Sequence, residues 1–201
     1  MLHASPLRLL LKRKKIIMLA GIIVAIIAGI ITALFPLQYR ADAQVLIISQ
    51  SRYGVDPYTV IRSAERVGEN ISQVMKTSDF YNKVRELGQA GIDWSQFEGL
   101  NDRDKRKKWE KTIEPSVVYG TGVLNVSAYS VDSAEAQALA AAAANTLVSK
   151  GWEYVGGDVT IKIVNQPIVT RYPVRPNILI NVVLGFIVGI LLTSLMVVRK
   201  R

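Results

Sequence analysis

Asp102 and Asp104 are the most closely spaced carboxylates in the chain, the kind of pair that could divide into a general acid and a general base. They stand beside Arg103 and Lys105 in a dense charge run, a setting that predicts paired surface charge instead. Other starting points for chemistry are fewer still. With no cysteine, thiolate nucleophiles, thiolate metal sites and disulfides are excluded. The one histidine, His3, lies in the N-terminal tail and leaves no imidazole elsewhere for a general base or a zinc ligand. There is no phosphate-cradling G-x-x-x-x-G-K-S/T loop and no G-x-S-x-G elbow. Asn70-Ile71-Ser72 and Asn125-Val126-Ser127 match the glycosylation triplet, but alternation places Asn125 inside a strand, and neither triplet carries an assignment. The expectation is a non-enzymatic protein with no catalytic residue, no metal and no cofactor.

Charge is distributed unevenly. The chain of 201 residues carries 25 Lys+Arg against 16 Asp+Glu, a formal net charge of +9. Such an excess raises the question of nucleic acid. The N-terminal tail, however, contributes Arg8, Lys12, Arg13, Lys14 and Lys15, and the C-terminal end contributes Arg199, Lys200 and Arg201. What remains is nearly balanced, so nucleic acid is not expected as a partner.

Those basic clusters flank two uncharged runs. Residues 16–35 read IIMLAGIIVAIIAGIITALF, and residues 178–198 read ILINVVLGFIVGILLTSLMVV. Twenty residues at about 1.5 Å each make about 30 Å, the thickness of a bilayer's hydrocarbon core. A cleaved signal peptide is the alternative for the first run, since Ala41-Asp42-Ala43 has a small-x-small pattern; signal cores are shorter, at about 7–15 residues. Lys12, Arg13, Lys14, Lys15, Arg199, Lys200 and Arg201 act as topology anchors, which predicts a multi-pass membrane protein with both termini cytoplasmic. Gly21, Ala25 and Gly29 recur at every fourth position in the first run, and Gly185 and Gly189 in the second, a spacing that lets helix backbones approach closely in lipid.

Between the runs, Tyr39 to Ile48 suits a strand. Asp56-Pro57 caps a helix whose apolar stripe is Val60, Ala64, Val67, Ile71 and Val74. A short helix from Ser78 is expected to bury Phe80, Val84 and Leu87. Residues 101–111 hold six basic and three acidic side chains, and they read as a solvated helix face with Trp109 pinned to the core, the alternative being a patch for an anionic polymer or lipid head groups. Lys111–Tyr119 and Gly122–Ser130 form a hairpin, Asp132-Ser133 caps one long Ala-rich helix reaching Val155, and Asp158–Asn165 is the last strand. The first and last strands, each within about ten residues of a span, should lie side by side near the membrane.

The expected fold class is α+β: two transmembrane helices (16–35 and 178–198) flank one extracytoplasmic α/β domain (36–166) with a small mixed sheet near the membrane. A basic cytoplasmic tail (1–15), a Pro-rich linker (167–177) and a short C-terminal tail (199–201) complete it.

This order resembles the bacterial polysaccharide co-polymerase family, the Wzz-type chain-length determinants and their shorter relatives near capsular polysaccharide kinase adaptors. Pro173-Val174-Arg175-Pro176-Asn177, followed by Asn181, Gly185 and Gly189, is similar to the family's proline- and glycine-rich second-span motif. Ser130 to Ala136, continuing to Ala144-Asn145-Thr146-Leu147, resembles its strand-to-helix segment, and Tyr39-Arg40-Ala41 with Val45-Leu46-Ile47 its first strand. The resemblance implies a homo-oligomer in a bacterial inner or plasma membrane that sets polymer length or coordinates polymerase and export components. It also implies, as an alternative, an adaptor of a cytoplasmic tyrosine kinase. Departures are a loop too short for the long helices of larger Wzz proteins, and tyrosines that all fall between the two spans. The rival class is an extracytoplasmic sensor or ligand-binding module.

Overall fold

A computed structural model describes residues 10–49, 56–88, 90–156 and 159–199. His3, Arg8, Asp158, Lys200 and Arg201, named above, lie outside the described residues. The chain divides into two compact units, one made of the residues up to Leu37 and from Val174, the other of Gln38–Pro173.

The first unit is a pair of apolar helices, α1 (Lys14–Ala33) before the second unit and α7 (Ile178–Arg199) after it. Both are long and apolar enough to cross a membrane. Only 22% of the most apolar window of α1 and 6% of that of α7 are buried, so neither is the core helix of a soluble domain.

In the second unit, β1 (Tyr39–Ser49) leads to α2 (Pro57–Val74), α3 (Ser78–Glu86), a single 3₁₀ turn (Ser95–Phe97) and α4 (Asp102–Thr112). Then follow β2 (Ile113–Val118), β3 (Val123–Ser130), α5 (Ser133–Lys150), the short α6 (Trp152–Val155) and β4 (Val159–Val169). Local chemistry starts each long helix. The side chains of Asp56, Thr77, Asn101 and Asp132 accept from the backbone N–H of Thr59, Phe80, Asp104 and Ala134, satisfying donors that an uncapped end would leave orphaned.

The sheet order is β2-β3-β1-β4, and every neighbouring pair is antiparallel. The small mixed sheet expected from the sequence is thereby corrected. The β3–α5–β4 unit does run its two strands parallel, but β1 inserts between them, and β3 likewise separates β1 from β2. This is a split β-α-β-β-α-β arrangement. As expected, the first and last strands pair, with Ala41 opposite Val169 and Ser49 opposite Val159. The last strand is longer than Asp158–Asn165: it runs on through Pro167, tolerated because β4 is an edge strand and its register slips between Asp42 and Val45 of β1.

One sheet face is apolar and buried: Ala41, Ala43, Val45 and Ile47 of β1, and Leu124, Val126 and Ala128 of β3. Helix α5 covers it with Ala136, Leu139, Ala140, Ala143 and Leu147, all fully buried. Small alanines let the helix backbone approach the sheet at native packing density. On α2, Ala64 and Ile71 are buried and Val60, Val67 and Val74 half-buried, along the expected stripe. At the β2–β3 turn, Gly122 sits at φ 66°, where an added Cβ would lie 3.1 Å from the Ala64 Cβ.

Three local expectations change. Leu87 is 43% exposed, while Tyr81 takes the buried place beside Phe80 and Val84. Position 81 faces an aromatic cluster, its ring centroid 5.6 Å from Trp94, 5.2 Å from Phe97 and 5.3 Å from Trp109. Lys111 and Thr112 finish a helix instead of starting a strand. The Ala-rich helix breaks at Gly151, where a side chain would meet Ile161 at 2.5 Å. Trp109 is pinned to the core as expected: it is 1% exposed, and its Nε1 donates to the Met75 carbonyl at 2.8 Å.

Candidate functional site: a helix seam and an open polar sheet face

In the helix pair, α1 and α7 pack antiparallel along small residues. A Cβ on Gly189 would come within 2.9 Å of the Gly21 Cα, and one on Gly185 within 2.7 Å of the Ala28 Cβ and 3.4 Å of the Ala25 Cα. Gly29 faces Val182, whose Cγ2 would be 3.1 Å from an added Cβ. Farther along, Asn181 Nδ2 donates to Thr32 Oγ1 at 3.2 Å, and Thr32 Oγ1 donates to the Ala28 carbonyl at 2.7 Å. Two polar side chains on otherwise apolar helices thus satisfy each other. Thr32 is a seam residue that small-residue spacing could not find, because its role depends on a partner in the other helix. Arg13 and Arg199 line one depression at the same end of the pair, where Lys12, Lys14 and Lys15 also lie at the start of α1.

Entry into α7 follows from its preceding residues. Asn177 Oδ1 accepts from the Ile180 N–H at 3.1 Å, capping the helix. The Arg175–Pro176 peptide is cis, and Pro173 closes the second unit.

The sheet face turned away from α5 is mixed: Leu46, Ile48 and Val123 lie on it together with a row of polar side chains. Cross-strand register sets Arg40 opposite Tyr129, Asp42 opposite Ser127, and Gln44 opposite both Asn125 and Asn165. Arg40 pairs with Asp42 at 3.0 Å, and Ser127 Oγ donates to Asp42 Oδ1 at 2.6 Å. Gln44 Nε2 donates to Asn125 Oδ1 at 2.7 Å, while Asn165 Nδ2 donates to Gln44 Oε1. Tyr129 OH donates to Glu114 Oε2 at 2.9 Å. The row stiffens the sheet and presents amides and charges to whatever meets it.

Asp102 and Asp104 head α4, where Asn101 Nδ2 donates to Asp104 Oδ2 at 2.8 Å, a cap arrangement and not a shared-proton pair. No group of three or more metal-ligating side chains is present among the described residues.

The N-terminal part of this architecture is also similar to a known family. Residues 7–89, which include α1, β1, α2 and α3, match the family model of Wzz, chain length determinant protein. Over that stretch the chain is similar to the Wzz chain length determinant family. Wzz proteins are membrane-associated, concern polysaccharide chain-length regulation in general, and are generally non-enzymatic regulators. The Wzz stretch ends at α3, so the β2–β3 hairpin, α5, β4 and α7 lie beyond it. No curated protein matches the chain.

Proposed function

We propose that this protein is a non-enzymatic membrane component of bacterial polysaccharide biosynthesis, of O-antigen, capsule or exopolysaccharide, that regulates polymer chain length or export. The match of residues 7–89 to the Wzz family carries the reading. The two apolar helices, mostly uncovered and packed along a glycine seam, support a pair of membrane spans. Both termini are cytoplasmic, because the basic residues that resist translocation gather at one end of the pair. Gln38–Pro173 then forms the outer domain, which assembles as a homo-oligomer together with the spans and meets polymerase and export components. The chemistry of polymerisation belongs to those partners.

Deleting the gene and restoring it tests the function directly. The expected outcome is a polymer ladder whose modal length shifts or broadens on deletion and returns on complementation. An identical ladder with and without the protein rules the function out.

A further inference from the structure

The Wzz reading makes no use of a cleft between α3 and α4. It has a volume of about 100 Å³ and is lined by Tyr81, Asn82, Arg85, Asp102, Lys105 and Arg106, among others. At the bottom, Tyr81 is 6% exposed, and its hydroxyl is the one buried side-chain polar atom among the described residues without a hydrogen-bond partner. Such orphans are rare, because an unmet buried donor is destabilising, and each one calls for an explanation. Burial pushes the hydroxyl's pKa up, opposed by the charge of Arg85 and by a hydrogen bond from its guanidinium, which can only donate; the Tyr81 O–H therefore still has no acceptor.

The surrounding charge indicates which acceptor. Three cations line the cleft against one carboxylate, Asp102. Arg85 approaches Glu98 only at 3.8 Å with both side chains about half-exposed or more, and Lys105 makes no ion pair among the described residues. Arg106 is shared with Glu110 at 3.3 Å along the same helix. A group that accepts from Tyr81 and carries negative charge among these cations is an oxyanion. The cleft is small, at about 100 Å³, and has room for a carboxylate or a phosphate group.

We propose that the α3–α4 cleft binds the carboxylate or phosphate substituent of an acidic glycan, the ring remaining outside. The glycan part rests on the polysaccharide reading above; the oxyanion part rests on the cleft alone.

The test uses the full chain in detergent, with labelled oligogalacturonate, glucose 6-phosphate, inorganic phosphate and a neutral maltooligosaccharide as probes. Saturable binding of oligogalacturonate or glucose 6-phosphate is expected, with no competition from the neutral sugar. Arg85→Gln combined with Lys105→Gln weakens it about tenfold or more, and Tyr81→Phe weakens it about threefold to tenfold. Tyr81→Phe keeps the buried ring and removes an orphan hydroxyl, so its thermal midpoint stays at or above that of the unaltered protein, which separates lost binding from lost folding. Binding of inorganic phosphate alone overturns the proposal, as does no binding or binding insensitive to the variants. Weakening by the charge variant but not by Tyr81→Phe also overturns it, because exposed cations would then suffice. The two readings fail separately: a deletion that shifts the polymer ladder while the probes do not bind sinks only the cleft. Binding with an unchanged ladder sinks the chain-length role.

Discussion

At the scale of single residues, two contacts hold the helical layer of the second unit, and each makes a separate prediction. Trp109 packs its ring against Tyr81 and Phe97 in the aromatic cluster, and its Nε1 satisfies the Met75 carbonyl at the end of α2. Trp109→Phe leaves a cavity and an orphaned acceptor, and is expected to destabilise the domain by about 2–4 kcal/mol in chemical unfolding. Lys83 binds α3 to α6: its Nζ lies 2.6 Å from Glu153 and 3.2 Å from Asp79, and 4.4 Å from the Tyr154 ring centroid. The hydrogen bond to Lys83 holds the Glu153 carboxyl below its usual range. Asp79 is lowered too, first by Tyr154 and then by Lys83. Carboxyls whose folded pKa is depressed contribute stability present above their ordinary pKa of about 4 and lost as pH falls through the folded value. Lys83→Gln should therefore lower the unfolding midpoint at neutral pH, with the difference from the unaltered protein fading in acid below about pH 4. A constant difference across that range would contradict the ion-pair account.

Elements show what pattern can and cannot supply. The alternation of β3, the stripe of α2 and the caps Asp56 and Asp132 were legible because each depends on neighbours within a few residues. Leu87 was misplaced, and Tyr81 not named, because a helix with apolar residues on two adjacent faces cannot say which face meets the core. That was decided by Trp94, Phe97 and Trp109, from segments later in the chain. The same holds for the amide row, where Gln44 meets Asn125 and Asn165 only through strand register. For the helix pair, the seam makes the sharpest claim. Cysteines placed at Thr32 and Asn181, in a chain with none of its own, should form a disulfide within one molecule, read as protection from maleimide. Adding Gly189→Leu should reduce that protection severalfold, since even a Cβ there would fall 2.9 Å from the Gly21 Cα.

For the whole molecule, the prediction concerns sidedness. A phosphatase active only outside the cytoplasm should be inactive when fused after Arg201 and active when inserted at the Gly120 turn between β2 and β3. The reverse result would invert the proposed topology. Two apolar helices and a mixed helix–strand segment between them could be read from the chain alone, because long uncharged runs, caps and alternation are short-range properties of composition and order. The antiparallel sheet order, the break at Gly151, the pairing of Thr32 with Asn181 and the place of Tyr81 and Lys105 in one cleft came only from the tertiary structure. Each depends on a contact between residues that the sequence holds apart, and which contacts form is settled by packing the entire chain at once.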